Sequence, residues 1–181
     1  HTRFRNVTGV QTCALPILHS NGYSLVRKVV ERSGARLDAQ APFANATLGE
    51  VLLTPTRLYV TSALSAIRTG GVLGLAHITG GGITDNLPRV LPEGLDAEIN
   101  LTRWKLPPVF AWLQREAALA EADMLRTFNC GVGLIAVTQE SDAEKTLAAF
   151  KTAGETAFVI GALVPAQDSE PSVRYRGTLG S

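Results

Sequence analysis

The spacing of apolar and polar residues along the chain predicts a mixture of helices and strands. Apolar residues recur with helical spacing over 24–33, 48–53, 55–67, 83–91, 107–114, 120–128 and 141–153. Apolar or alternating runs typical of strands occur over 72–78, 97–101, 131–138, 157–164 and 173–176. Strands and helices do not alternate strictly, so we expect an α+β fold in which helices are layered on a mixed β-sheet.

Some of these predicted elements carry finer expectations. Pro55 suits the first turn of the helix over 55–67. The apolar residues of that segment are predicted to form its buried face: Leu58, Val60, Ala63, Leu64 and Ile67. The alternation over 97–101 indicates a strand at an exposed edge, whereas the run over 131–138 indicates a central strand. Ser141 is the expected N-cap of the last helix.

Residues 1–17 differ from the rest of the chain. They show no clear helical or strand period, and they run abruptly into Leu18. The string over 7–17 is similar to translated sequencing-adapter read-through. We therefore expect residues 1–17 to be a disordered leader outside the fold, residues 18–176 to form the domain, and residues 177–181 to be a mobile tail.

The composition is that of a soluble globular protein, and it excludes several classes of function. Hydrophobic residues make up 45% and charged residues 18% of the 181 residues. The formal net charge of +1 provides no basic field, so we expect no nucleic-acid partner. No apolar run approaches the ~20 residues that a membrane-spanning helix needs, so we expect no membrane partner.

The cysteines and histidines argue against a metal centre built by the protein itself. Cys13 and Cys130 are far apart, which matches no metal-binding spacing and fits a reducing cytoplasm. With only three histidines in the sequence, no metal-ligating residue is predicted. The sequence also contains no Gly-x-x-x-x-Gly-Lys-Ser/Thr P-loop, and no nucleophile adjacent to a base that would indicate a hydrolase triad.

A glycine-rich segment is the most informative part of the sequence. The apolar run over 72–78 ends in a threonine and three consecutive glycines, directly before an amphipathic segment. Glycines let several backbone N–H groups point at one anion, and a following helix adds a positive partial charge. His77 is the candidate catalytic residue. The predicted phosphate-binding residues of this loop are Thr79, Gly80, Gly81, Gly82 and Asn86. The alternative is a tight turn that merely requires glycine.

Two further clusters of polar residues and glycines lie next to predicted helices. Ser20, Asn21 and Gly22 directly precede the first helix, where they form either a phosphate-binding site or an ordinary helix cap. Asn129 lies in the junction over 127–133, between a helix and the predicted central strand. It is a candidate ligand-binding residue, and a helix C-cap is the equally plausible alternative.

Five strings in this order give the chain a specific resemblance. They are His-Ser-Asn-Gly-Tyr-Ser-Leu-Val-Arg-Lys (19–28), Leu-Leu-Thr-Pro-Thr-Arg-Leu-Tyr-Val (52–60), Ala-His-Ile-Thr-Gly-Gly-Gly (76–82), Asn-Leu-Pro-Arg-Val-Leu-Pro (86–92) and Met-Leu-Arg-Thr-Phe-Asn-Cys-Gly-Val-Gly (124–133). Together they resemble the C-terminal half of the phosphoribosylformylglycinamidine cyclo-ligases, also called aminoimidazole ribonucleotide synthetases.

The resemblance implies an ATP-dependent ring closure in de novo purine biosynthesis. ATP, the second substrate, phosphorylates the amide oxygen of formylglycinamidine ribonucleotide, and an internal nitrogen then closes the ring to give aminoimidazole ribonucleotide, ADP and phosphate. Mg²⁺ accompanies such a phosphoryl transfer. The family also implies a cytoplasmic homodimer, an α+β domain of the aminoimidazole ribonucleotide synthetase superfamily, and an active site in the cleft between two domains.

Members of this family carry an N-terminal domain of comparable size, whose Asp- and Gly-rich motifs hold much of the nucleotide and metal site. The printed sequence contains none of these motifs, so we expect the 181-residue piece to be inactive by itself. Selenophosphate synthetase, thiamine-monophosphate kinase, a hydrogenase maturation factor and formylglycinamidine ribonucleotide synthase share the architecture and are alternatives. A non-catalytic phosphate-binding or dimerisation module is an alternative of a different class.

Overall fold

The fold is built on one six-stranded mixed sheet. The computed structural model describes residues 7–13, by their backbone alone, and residues 18–180. The strand order is β2-β4-β1-β5-β3-β6. All neighbouring strands are antiparallel except β3 and β6, which are parallel. The strands are β1 (Val7–Cys13), β2 (Val72–His77), β3 (Leu95–Asn100), β4 (Val132–Gln139), β5 (Thr156–Pro165) and β6 (Val173–Arg176).

Seven helices cover both faces of this sheet. Successive residues of a strand point to opposite faces. On β4, Leu134 and Ala136 pack in one cluster with α3 and α7, whereas Ile135 and Val137 pack in a larger cluster with the other helices. This arrangement confirms the α+β expectation. The helices are α1 (Tyr23–Ser33), α2 (Leu48–Leu52), α3 (Val60–Arg68), α4 (Gly82–Asn86), α5 (Pro108–Ala117), α6 (Glu121–Thr127) and α7 (Ala143–Thr152). Within the described residues, no helix is long and apolar enough to cross a membrane.

Part of the predicted leader lies inside the sheet. The β1 backbone pairs with β4 on one side and with β5 on the other. The expectation that residues 1–17 stand apart from the fold is therefore wrong for β1. Its alternation is obscured by Gly9, but four of its seven residues are β-branched, which suits extended backbone. Residues 1–6 and 14–17 lie outside the described residues, and the origin of the string over 7–17 as read-through stays a prediction.

Strand β3 is not at an edge, which corrects a second expectation. It lies between β5 and β6. The polar residues of its alternation are paired with arginines of β6: Asp96 with Arg174 at 3.4 Å and Glu98 with Arg176 at 2.7 Å. Alternation alone could not distinguish this pairing from exposure to solvent. By contrast, β4 lies between β2 and β1, as the expectation of a central strand required.

Helix α3 begins later than predicted, and it buries a different face from the one that the sequence predicts. Residues 54–59 form a non-helical segment before it, so Pro55 does not lie in the helix. Its small residues Ser62 and Ala66 are buried, and α3 packs on α7. The expected buried face is wrong, because most of its members are exposed. Together with two further exposed residues of this part of the chain they make up the set that we call the apolar patch: Leu53, Leu58, Val60, Leu64, Ile67 and Leu73.

Two features at the ends of elements complete the fold. Ser141 is not the cap of α7, because a 3-10 turn over 140–142 comes first and Asp142 holds the N-cap position without a side-chain cap bond. Asp142 instead pairs with Lys145 at 2.7 Å. In the predicted tail, the Leu179 N–H donates to Glu121 Oε2 at 2.6 Å and ties this segment to the start of α6.

Candidate functional site

Three of the predicted clusters meet at the end of β2. A Cβ built on Gly80 would lie 3.7 Å from Asn21 Oδ1, so the glycine loop lies beside the segment before α1. A Cβ on Gly22 would overlap the ring of Phe128, and one on Gly82 would lie 2.8 Å from the Phe128 carbonyl oxygen. The junction between α6 and β4 therefore contacts both other clusters. Residues that are distant in sequence form one site.

The glycine loop is a tight turn with an open outer surface. The Gly82 N–H donates to the Thr79 carbonyl at 3.0 Å, and Gly81 and Gly82 have φ of 96° and 60°, which suit glycine. Gly80 is exposed. Within the described part of the chain, the N–H groups of Gly80 and Gly81 have no hydrogen-bond acceptor. An anion at this surface would supply one.

The side chain of Asn86 stabilises the glycine loop through hydrogen bonds to its backbone. Its side chain is buried and its Nδ2 donates to the carbonyls of Gly82 at 2.8 Å and Gly80 at 3.2 Å, with a longer contact of 3.4 Å to that of Thr79. The Thr79 hydroxyl donates to Asn86 Oδ1 at 3.4 Å. The structure thus gives both side chains partners within the loop, and a direct role of either in binding phosphate stays a prediction.

The N-terminal end of α1 provides the helix terminus that the glycine loop lacks, and "the end of α1" below means this N-terminal end. The helix α4 after the glycines has only five residues, so it adds less positive charge than the sequence suggested. Helix α1 has eleven residues, and its N-cap Gly22, at φ 71°, makes no side-chain cap bond. The Leu25 N–H donates to the Gly22 carbonyl at 3.0 Å, whereas within the described residues those of Tyr23 and Ser24 have no acceptor and are available to an anion. Ser20 is exposed and its Oγ accepts from Thr56 Oγ1 at 3.4 Å, while Asn21 Nδ2 donates to the His19 carbonyl at 2.5 Å.

Other candidate residues have structural contacts. Asn129 is buried, and its Oδ1 accepts from the Gly131 N–H at 2.8 Å, which is the contact of a turn cap. Arg57 lies in the non-helical segment before α3. It pairs with Glu155 at 2.8 Å and donates to the Gly154 carbonyl at 3.1 Å, so its guanidinium is engaged by the turn before β5.

His77 lies at the rim of the site next to His19 and to Tyr59, which the sequence analysis did not single out. The side chain of His77 is exposed at the end of β2. Its ring centroid is 5.9 Å from that of His19 and 5.9 Å from that of Tyr59. Tyr59 was missed because it was assigned to a long helix. Its position in the string over 52–60, one of the five that carry the resemblance, is the feature that could have identified it.

We expect His19 to make folding stability depend on pH. Burial lowers the pKa of His19 from 6.5 to about 4, with a further lowering by His77, while the Ile78 backbone acts in the opposite direction. Unfolded chains then bind more protons than folded ones between these two values, so stability falls as the pH falls from 6.5 toward 4. Urea unfolding at pH 7.5 and pH 5 should show a loss from this group on the order of 1 kcal/mol. The variant His19→Gln should lack this part of the slope, and an unchanged slope would contradict the account.

Among the described residues, no group of three or more His, Cys, Asp or Glu side chains is placed to hold a metal ion. One exposed carboxylate, Asp85, faces the glycine loop, with Oδ2 2.9 Å from where a Gly81 Cβ would be. Mg²⁺ is commonly held by one or two carboxylates together with substrate phosphates. Asp85 fits that use, in which a bound phosphate supplies the other ligands.

Solved structures share this fold. E. coli HypE, a hydrogenase maturation protein, superposes with a TM-score of 0.62 at 19% sequence identity, over 99% of this chain and 49% of that one. Thiamine-monophosphate kinase from Stenotrophomonas maltophilia gives 0.62 at 12% identity, over 99% and 52%. T. maritima PurL complexed with FGAR gives 0.56 at 17% identity, over 98% and 27%. The chain thus spans about half the length of the first two.

The sequence also matches a family model. The model is that of the AIR synthase related proteins, C-terminal domain, and the match covers residues 9–174. It includes the segment before α1, the glycine loop and the junction before β4. The chain belongs to the family of AIR synthase related proteins, as their C-terminal domain.

Proposed function

We propose that this chain is the C-terminal domain of an ATP-dependent cyclo-ligase that converts formylglycinamidine ribonucleotide to aminoimidazole ribonucleotide. The family membership supports the superfamily, and the five ordered strings support the cyclo-ligase within it. Three of these strings also meet in space at the candidate site. The solved structures support the fold alone, because each is less than 25% identical to this chain.

One observation supports phosphate handling most strongly. The exposed Gly80 and its neighbour Gly81 present N–H groups without acceptors, directly beside the uncapped end of α1. Backbone N–H groups and a helix terminus that converge on one point form a site for an anion. This arrangement fits phosphoryl transfer, in which positioning and charge stabilisation dominate over covalent protein chemistry.

Each group of the candidate site would have a defined role in the proposed reaction. The amide oxygen of the substrate attacks the terminal phosphorus of ATP, and the P–O bond to ADP breaks. An internal nitrogen then attacks the activated carbon, the ring closes, and the C–O bond to phosphate breaks. The loop N–H groups and the end of α1 would hold phosphate oxygens, and the exposed His77 would exchange a proton with the substrate. Mg²⁺, held by Asp85 and phosphate oxygens, would neutralise negative charge.

The apolar patch fits a larger assembly. Six of the seven exposed large apolar residues of the described chain lie over 53–73. Exposed patches of this kind mark surfaces that another domain or subunit covers. Tyr59, which contacts His77, belongs to the same segment. A domain seated on the patch would therefore adjoin the candidate site, as expected for a cleft between two domains in a homodimeric enzyme.

The test of the proposed function is substrate binding by a loop variant. A Cβ on Gly80 would meet only Asn21 Oδ1, at 3.7 Å, and Gly80 does not have positive φ. Gly80→Val should therefore fold normally but keep phosphate away from the loop. We expect its affinity for formylglycinamidine ribonucleotide, measured by calorimetry, to fall at least about tenfold, or roughly 1.4 kcal/mol.

Two controls make this result specific. Thermal unfolding should give nearly the same midpoint for Gly80→Val and the unmodified chain. Thiamine monophosphate, tested in parallel, should bind more weakly than formylglycinamidine ribonucleotide. Preference for thiamine monophosphate would favour a kinase of the same superfamily. Unchanged substrate affinity in a folded Gly80→Val would show that the loop is only a structural turn and does not bind phosphate.

A further inference from the structure

Three rings form a compact group at the end of β2, and two of them have no part in the function proposed above. We call His19, Tyr59 and His77 the ring group. The centroids are 5.6 Å apart for His19 and Tyr59, and 5.9 Å apart for each of these with His77. His19 and Tyr59 are buried, at 3% and 7% exposure, whereas His77 is exposed. The group thus joins a buried pair to a ring at the surface.

The buried pair is joined by a hydrogen bond and carries no charge at neutral pH. Tyr59 Oη lies 3.1 Å from His19 Nε2. Burial lowers the pKa of His19 to about 4, so its imidazole is neutral. The Ile78 backbone favours the protonated ring, as a carbonyl acceptor does. Tyr59 Oη and the neutral His19 ring therefore form one hydrogen-bonded pair.

Strand β4 fixes where this pair lies. A Cβ on Gly133 would overlap Tyr59 Oη and His19 Cε1, so the two side chains pack directly on the strand backbone. The Gly133 carbonyl also accepts from the Ile78 N–H at 2.9 Å, and His77 pairs with Leu134 across the strands. The pair and His77 are therefore held by the same stretch of backbone. Such a support leaves the pair little freedom to move.

We propose that His19 and Tyr59 are positioning residues that hold the His77 ring at the edge of the glycine loop, where it contacts the phosphate-bearing ligand. An exposed histidine without ring neighbours changes rotamer on a nanosecond timescale or faster. The two ring contacts restrict His77 on one side, and the rest of its ring is exposed. This inference rests on the proposed phosphate site, but the positioning itself is a property of the free protein.

The experiment compares two tyrosine variants that each lose one hydroxyl. Tyr59→Phe removes the bond to His19 and keeps the ring. Tyr23→Phe is the matched control, because its hydroxyl donates to the Leu52 carbonyl at 2.7 Å, away from the ring group. In the free protein we expect Tyr59→Phe to shift the ¹⁵N resonances of the His77 ring and Tyr23→Phe to leave them unchanged. Affinity for inorganic pyrophosphate should fall at least about threefold in Tyr59→Phe.

The outcomes separate positioning from ligand binding. Unchanged His77 resonances in a folded Tyr59→Phe, or equal changes in both variants, would overturn the positioning role. If wild-type protein does not bind pyrophosphate while Tyr59→Phe still shifts His77, the phosphate site fails and the positioning of the ring stands. His77→Asn keeps the fold because the side chain is exposed, and it should also weaken binding at least about threefold. Full affinity in His77→Asn would overturn the contact with ligand, even if Tyr59→Phe did not fold.

Discussion

Replacing Gly82 by alanine should destabilise the protein by more than about 3 kcal/mol. The added Cβ would overlap the carbonyl oxygen of Leu125 and lie 2.8 Å from that of Phe128, and neither backbone atom moves without shifting α6. The residue also has φ of 60°, which costs an L-residue about 1–2 kcal/mol. The measurement is urea unfolding of the purified variant.

Gly34→Ala is the matched control for this substitution. Gly34 has φ of 66°, close to that of Gly82, but a Cβ there would meet nothing within 4 Å. Its substitution should cost only the backbone strain of about 1 kcal/mol. The difference between the two variants isolates the contact between the glycine loop and the junction after α6. Equal losses would show that this contact is not as close as described.

Replacing Gly133 by alanine should also be strongly destabilising, by about 2 kcal/mol or more. The methyl group would overlap Tyr59 Oη and His19 Cε1, both of which are buried. The ring group would have to leave its place on β4. Urea unfolding measures the loss, and the ¹⁵N resonances of the histidine rings report whether the group has moved.

A double variant tests whether the contact with Tyr59 causes this loss. Tyr59→Phe removes the hydroxyl that the new methyl group would overlap, although the ring carbon Cζ would still lie 2.7 Å away. Tyr59→Phe by itself should cost about 1 kcal/mol, because His19 Nε2 loses its hydrogen-bond partner. The two substitutions together should cost less than the sum of the single losses. If the two losses of stability simply add, the destabilisation by Gly133→Ala does not come from the contact with Tyr59.

Five of the six strands and the glycine loop could be predicted because local pattern determines them. The run over 131–138 is apolar on both faces, which only a covered central strand permits, and β4 has that position. The loop after β2 was recognised because three glycines in sequence have few other uses. Its short helix was overestimated, because the apolar spacing continues through a 3-10 turn over 88–90.

Other features depend on contacts between distant segments, which the local sequence pattern does not reveal. The apolar spacing of α3 identified a face but not which neighbour it meets, and α7 packs instead on its small residues Ser62 and Ala66. The polar residues of β3 suggested an exposed edge strand, whereas in the structure they pair with arginines of β6. The ring group joins His19 to Tyr59, 40 residues later, and to His77, and only the folded chain shows that Gly133 makes room for it.

The central claim is that the glycine loop and the end of α1 form one phosphate site. The most direct measurement is a titration of the isotopically labelled chain with inorganic pyrophosphate, followed by backbone amide NMR. We predict the largest shifts at the amides of Gly80 and Gly81 and at those of the first turn of α1, with one common binding constant. Shifts confined to other surfaces, or different binding constants for the two segments, would contradict the claim.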